Sequence, residues 1–138
     1  TVPMRPRDCS MAFDANLSIL IVDDYKTMLR IIRNLLKQLS FANVDEAADG
    51  DRALAKLREK QYGLVISDWN MQPMTGLDLL REIRADATLH RLPFIMISAE
   101  SNARNVAVVK EAGVDNYIVK PFTAETLKAK ITSVIGAA

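Results

Sequence analysis

The sequence contains few of the residues that form disulfides or structural metal sites. Its 138 residues include one cysteine, one histidine and one tryptophan, which excludes an internal disulfide framework. No apolar run approaches the length of a membrane span, and the first residues lack the apolar stretch of a signal peptide. With 18 basic and 17 acidic side chains the net charge is +1, so no strong field draws the chain toward nucleic acid or a membrane. We therefore expect a cytoplasmic protein that binds neither.

The N-terminal residues differ in character from the rest. Residues 1–10 have no initiator methionine and no hydrophobic periodicity. We expect them to be a remnant of expression, with a native start at Met11 and an N-terminal tail over 11–16. The remaining length fits one domain over 17–138. We expect no output domain after its last helix, and an output made through a protein contact. We also expect a monomer.

Short apolar runs alternate with helical periodicities along this domain. An apolar stripe from Met28 to Leu39 predicts the first helix. Gly113 is expected to end a fourth helix over about 102–112, and Thr123 is expected to cap a fifth. Such alternation gives a parallel sheet covered on both faces. We predict the α/β flavodoxin-like doubly wound (βα)5 fold, with a five-stranded parallel sheet in the order 2-1-3-4-5. The runs that predict its strands are SILIV (18–22), NVDEAA (43–48), YGLVIS (62–67), PFIMIS (93–98) and NYIVK (116–120).

Polar residues end these strands, where doubly wound folds place their functional sites. Asp23 and Asp24 follow the first strand, Asp68 the third, Ser98 the fourth and Lys120 the fifth. Three carboxylates at one rim repel one another unless a cation neutralises them, and Mg²⁺ suits such oxygen ligands. The lysine and the serine can contact a phosphoryl group. Asp68 is then the natural nucleophile for phosphoryl transfer.

The same residues give the chain a family resemblance. The segments LIVDDYKTMLRIIRNLLK, EAADG, SDWNMQPMTGLDLL, ISAE and YIVKPFTAETL resemble the receiver domains of two-component response regulators, in particular the CheY-like single-domain chemotaxis regulators. The resemblance implies a phosphoacceptor signalling domain, not an enzyme, that catalyses only its own phosphorylation and dephosphorylation. Its expected partners are a histidine kinase or histidine phosphotransfer protein and a flagellar motor switch protein or other target.

The resemblance also implies roles for individual residues. Asp68 would be the phosphoacceptor, and Ser98 and Lys120 would contact the phosphate. The Mg²⁺ ligands would be Asp23, Asp24, Asp68 and the backbone carbonyl of Asn70, while Asn70 and Glu100 would tune the phosphate lifetime. The switch would use Ser98 and Tyr117, and the partner would meet Arg104, Val106, Tyr117, Val119 and Lys130.

The sequence departs from the family pattern at three places. Gln72-Pro73 shifts a loop proline by one place, and Thr75 replaces a common acidic residue before Gly76. Ala103 stands where chemotaxis regulators often carry a lysine, so the usual contacts with the motor are expected to differ.

Other readings of the same residues remain. A receiver could serve as a phosphate sink or phosphorelay intermediate with a non-motor partner. A Mg²⁺-dependent phosphatase of the haloacid-dehalogenase type needs a second aspartate two residues after its nucleophile. Here that place holds Asn70 after Asp68 and Tyr25 after Asp23. A flavodoxin-type cofactor binder needs a phosphate-cradling loop after the first strand, where this chain is acidic.

Overall fold

The computed structural model describes residues 17–72, 74–99 and 103–135. Within them five strands alternate with five helices. All strand pairs are parallel, and the sheet order is β2-β1-β3-β4-β5, which confirms the predicted fold. The strands are β1 (Ile19–Val22), β2 (Val44–Ala47), β3 (Leu64–Asp68), β4 (Phe94–Ser98) and β5 (Asn116–Val119), and the helices are α1 (Lys26–Gln38), α2 (Gly50–Glu59), α3 (Gly76–Ala85), α4 (Ala103–Glu111) and α5 (Ala124–Ile135).

The sheet separates two apolar cores. In β1, Ile19 and Ile21 pack on the side of α1 and α5, whereas Leu20 and Val22 pack on the side of α2, α3 and α4. All four side chains are fully buried. A strand covered on both faces has no polar side, which explains why the inner strands read as continuous apolar runs.

Strands β2, β3 and β5 each end one residue away from the expected carboxyl end, and the differences at β3 and β5 concern the site. Strand β3 runs to Asp68, so this residue is the last of the strand and does not follow it. Strand β5 ends at Val119, so Lys120 lies just outside it. Backbone pairing continues past the assigned strands, because the N–H of Trp69 donates to the Ile97 carbonyl and the N–H of Lys120 to the Ser98 carbonyl, both at 2.9 Å.

The helix ends follow local chemistry. Gly113 has φ of +99°, the left-handed conformation expected where α4 stops. Thr123 accepts a hydrogen bond from the N–H of Thr126 at 3.1 Å, which confirms the predicted cap of α5. The start predicted for α4 near residue 102, the assignments within 1–16, and Glu100 all lie outside the described residues.

Thr75, which departs from the family pattern, caps the N-terminus of α3. Its hydroxyl accepts from the N–H of Asp78 at 3.1 Å, and the Asp78 carboxylate accepts from the N–H of Thr75 at 3.2 Å. This reciprocal pair is a capping box. The threonine therefore starts α3 as an acidic cap would.

None of the helices in the described part of the chain is both long enough and apolar enough to cross a membrane.

Candidate functional site

Three polar side chains are buried where β1, β3 and β4 end. Asp23 follows β1, Asp68 ends β3 and Ser98 ends β4, with exposed fractions of 2%, 4% and 0%. These three strands are neighbours in the sheet, and their carboxyl ends therefore share one rim. Buried carboxylates are rare unless a partner or ligand compensates them, so the cluster marks this rim as a site.

Lys120 reaches this rim from the loop after β5. Its Nζ atom lies 2.6 Å from Oδ1 of Asp68. The contact is an ion pair, and Oδ1 of Asp68 accepts no hydrogen bond from the described residues. The lysine is a quarter exposed and the aspartate is buried. The pair is therefore open to solvent on the lysine side.

Asp23 lies in an environment that disfavours its charge. Burial raises the pKa of Asp23 to about 6, the N–H of Tyr25 opposes the rise, and the charge of Asp68 adds to it. Lys120 lowers this pKa, and Asp24 raises it slightly. Oδ1 accepts the Tyr25 N–H at 3.0 Å, whereas the buried Oδ2 has no partner among the described residues.

These oxygens fit a hard divalent cation. Oδ2 of Asp23 and Oδ1 of Asp68 are buried carboxylate oxygens that accept no hydrogen bond from a described residue, and Mg²⁺ is commonly held by one or two carboxylates together with water. Asp24 and Asn70 are exposed. The described residues contain no group of three or more histidine, cysteine or acidic side chains that could hold a metal. The fit therefore rests on Asp23 and Asp68, and the ligand roles of Asp24 and of the Asn70 carbonyl remain predictions.

Gly76 brings the start of α3 against the end of β3 at Asp68, a role that sequence reasoning did not identify. Its N–H donates to the Trp69 carbonyl at 2.9 Å. A Cβ atom at this position would overlap the backbone carbonyl of Asp68 and lie 2.8 Å from Sδ of Met96. Only glycine fits so close an approach. A glycine directly after a capping residue, at the start of an apolar helix, was the available signal.

Apart from Ser98, which ends β4, the predicted switch and partner residues lie on α4, β5 and α5. The ring of Tyr117 is partly buried and meets Trp69 edge to face, with 6.4 Å between ring centroids and 88° between planes. Tyr117 thus contacts the residue next to Asp68 in the chain. Of the other partner residues, Val119 and Arg104 are exposed, while Val106 and Lys130 are partly buried.

Comparison with known proteins agrees with this geometry. The family model described as the response regulator receiver domain matches residues 19–132. The chain is 50% identical over 119 residues to chemotaxis protein CheY-3 of Vibrio cholerae, covering 86% of this chain and 92% of the relative. It is 49% identical over 118 residues to chemotaxis protein CheY of Pseudomonas aeruginosa, covering 86% and 95%.

Solved structures share the architecture. The chain is similar to chemotaxis protein CheY4 of V. cholerae, with a TM-score of 0.81 and 30% identity over 86% of this chain and 98% of that one. It is also similar to the receiver domain of sensor histidine kinase PA1611 of P. aeruginosa, with a TM-score of 0.80 and 27% identity over 88% and 98%. The latter structure has a magnesium ion coordinated in its active site cleft.

Proposed function

The chain belongs to the response regulator receiver domain family, and from that premise we propose that Asp68 accepts a phosphoryl group from a histidine kinase or a histidine phosphotransfer protein. The observation that carries the proposal is the 2.6 Å contact between Oδ1 of Asp68 and Nζ of Lys120. It joins two residues that are far apart in the chain, beside the buried Asp23 and Ser98. A nucleophile, a cation and a hydroxyl at one solvent-accessible rim are the groups that phosphoryl transfer requires.

The transfer forms one bond and breaks one. A carboxylate oxygen of Asp68 attacks the phosphorus of a phosphohistidine, the P–O bond forms, and the P–N bond breaks with its electron pair left on the imidazole nitrogen. Lys120 then moves its ammonium contact from the carboxylate to a phosphoryl oxygen. The chain's part is to hold the attacking oxygen in line and to offset charge, which supplies most of the catalysis in such reactions.

Mg²⁺ is the proposed cofactor. Asp23, Asp24, Asp68 and the backbone carbonyl of Asn70 would hold it, and when bound it neutralises charge on the phosphoryl oxygens. The buried oxygens of Asp23 and Asp68 that accept no hydrogen bond from the described residues and the magnesium ion in the receiver domain of PA1611 support this assignment. Asn70 and Glu100 are proposed to tune the lifetime of the phosphate.

The proposed output is a change in the surface formed by α4, β5 and α5. A phosphoryl oxygen on Asp68 offers the Ser98 hydroxyl a charge-assisted acceptor and draws it inward with the loop before α4. Tyr117 then turns into the space beside β5. Ligands shift such equilibria only through different contacts in the two states. The partner would meet the residues Arg104, Val106, Tyr117, Val119 and Lys130.

We propose that the partner is the flagellar motor switch protein, in a cytoplasmic chemotaxis pathway and with the receiver as a monomer. Relatives named as chemotaxis proteins at about 50% identity support this choice. A phosphate sink or phosphorelay intermediate is the second candidate. Ala103, in place of the lysine common in chemotaxis regulators, favours it.

Phosphorylation is tested with Mg²⁺ and a small phosphodonor. The wild type should gain one phosphate that is stable to acid and labile to base and hydroxylamine, whereas Asp68→Asn should gain none at this site. Lys120→Ala should retain some labelling but lose the coupling of labelling to partner binding. A stable label on serine would contradict the assignment.

Switching is tested by partner affinity with and without beryllofluoride, a phosphoryl mimic. Ser98→Ala should still be labelled at Asp68, but the gain in affinity for purified flagellar motor switch protein should fall by about 1–3 kcal/mol. Asp68→Asn, which should lose the gain altogether, is the control. Equal dependence on beryllofluoride in wild type and Ser98→Ala would show that the hydroxyl has no switching role. Absence of any gain in the wild type would favour the phosphate sink.

A further inference from the structure

Helix α1 carries positive charge only, on a single face. Its sequence KTMLRIIRNLLKQ has four basic side chains and no acidic one, in a chain whose net charge is +1. Lys26, Arg30, Arg33 and Lys37 are spaced at i, i+4, i+7 and i+11, so they lie along one stripe of the helix. All four are exposed, and the stripe is about 16 Å long at 1.5 Å per residue.

The stripe borders a cleft at the open edge of the sheet. Strand β2 is an edge strand, and α1 and α2 lie on opposite faces beside it. The cleft between them has a volume of about 490 Å³. Its charged lining consists of five basic residues and one acidic residue, namely Lys26, Arg30, Arg33, Arg52, Lys56 and Glu46. We call this the α1–α2 cleft.

Ion pairs within the chain neutralise only part of this charge. Nε of Arg33 lies 2.6 Å from Glu46, and Nε of Arg52 lies 3.6 Å from Asp49. Lys26, Arg30 and Lys56 form no ion pair with any described residue. The α1–α2 cleft therefore has a surplus of about three cations beside an open strand edge.

Strand β2 also presents main-chain N–H and C=O groups at its open edge. The N–H of Ile19 donates to the Asn43 carbonyl and that of Asp23 to the Ala47 carbonyl, so alternate residues of β2 face β1. The N–H and C=O groups of Val44 and Glu46 then face outward. An extended segment can use such groups for orientation while its side chains meet the cations.

From this surplus of charge we propose that the α1–α2 cleft docks an acidic segment of a partner protein, whose carboxylates meet Lys26, Arg30 and Lys56. This surface is separate from that of α4, β5 and α5 and does not depend on the proposed function. A nucleic acid fits less well, because Glu46 and Asp49 are interleaved with the cations and the sequence pI is about 7.8, whereas nucleic-acid-binding domains are usually strongly basic.

The probe is a short fluorescein-labelled polyglutamate peptide, with binding followed by fluorescence anisotropy and located by amide chemical shifts. Individual exposed charge pairs are weak, but together they steer association and make it salt-dependent. The double variant Arg30→Ala/Lys56→Ala should lose about three- to tenfold in affinity. The amide shifts should cluster on α1, β2 and α2, and added salt should weaken binding.

The matched control is Arg81→Ala/Arg91→Ala, which removes the same charge from exposed positions on α3 and before β4. This control should bind as the wild type does, and Asp68 should be labelled equally in both double variants. Equal losses in the two variants, shifts centred on β5, or no measurable binding at low salt would overturn the proposal. So would tighter binding of an oligonucleotide than of the peptide at the cleft.

Discussion

Replacing Asp23 by asparagine should stabilise the metal-free protein. Burial is the main reason that the pKa of Asp23 is raised from 3.8 to about 6. At about 1.4 kcal/mol per pKa unit, that rise corresponds to about 3 kcal/mol. Solvent at the open rim screens part of this cost, so we expect about 1–2 kcal/mol. Asparagine can still accept the Tyr25 N–H while removing the buried charge.

The sign of the effect depends on pH. Because the folded-state pKa lies above the unfolded value, the cost of ionised Asp23 is complete above pH 6 and shrinks as the pH falls toward 3.8. Asp23→Asn should therefore raise the free energy of unfolding near neutral pH in EDTA, and the gain should disappear in acid. Mg²⁺ should stabilise the wild type by mass action and the variant much less.

Urea unfolding followed by circular dichroism measures the difference. The matched control is Asp24→Asn, which removes the same charge from an exposed position and should change stability by no more than about 0.5 kcal/mol. An Asp23→Asn variant that is no more stable than the wild type in EDTA near neutral pH would refute the reasoning. A gain that persists unchanged in acid would refute it equally.

Three further predictions concern other parts of the chain. Gly76→Ala should destabilise the fold by about 1–3 kcal/mol by crowding Asp68, measured by urea unfolding, and should slow phosphate labelling; wild-type stability would contradict this. Arg84→Ala should cost about 2–4 kcal/mol, because this side chain donates to three backbone carbonyls and one carboxylate, whereas the exposed Arg81→Ala should change little; equal effects would argue against a structural role. Mg²⁺ should change the emission of Trp69, and an unchanged spectrum alongside calorimetric binding would remove this residue as a reporter.

The fold and the strand ends could be predicted from sequence because doubly covered strands are apolar runs. The same pattern placed the bounds of β3 and β5 only within a residue or two, since the polar residues that end them still pair with a neighbouring strand. Asp68 therefore lies within β3, and Lys120 lies outside β5.

The different burial of adjacent polar residues could not be predicted from the sequence. Asp23 and Asp24 are the same residue type, yet Asp23 is 2% exposed and Asp24 faces solvent. The buried carboxylate is the one that accepts the Tyr25 N–H, a contact that the sequence does not reveal. The hydrogen bonds of Arg84 reach loops that are distant from it in the chain, so no local sequence pattern predicts them. The basic stripe of α1 was not identified from the sequence, because its importance depends on the cleft beside the open edge of β2.

The most direct test of the account is chemical identification of the phosphorylated residue. Wild-type protein is phosphorylated with Mg²⁺ and a small phosphodonor, reduced with borohydride, which converts an aspartyl phosphate to homoserine, and digested for mass spectrometry. We predict homoserine at position 68 and nowhere else, with none in Asp68→Asn. Conversion at another aspartate in the wild type, or no conversion in a sample shown to contain bound phosphate, would contradict the claim that Asp68 is the phosphoacceptor.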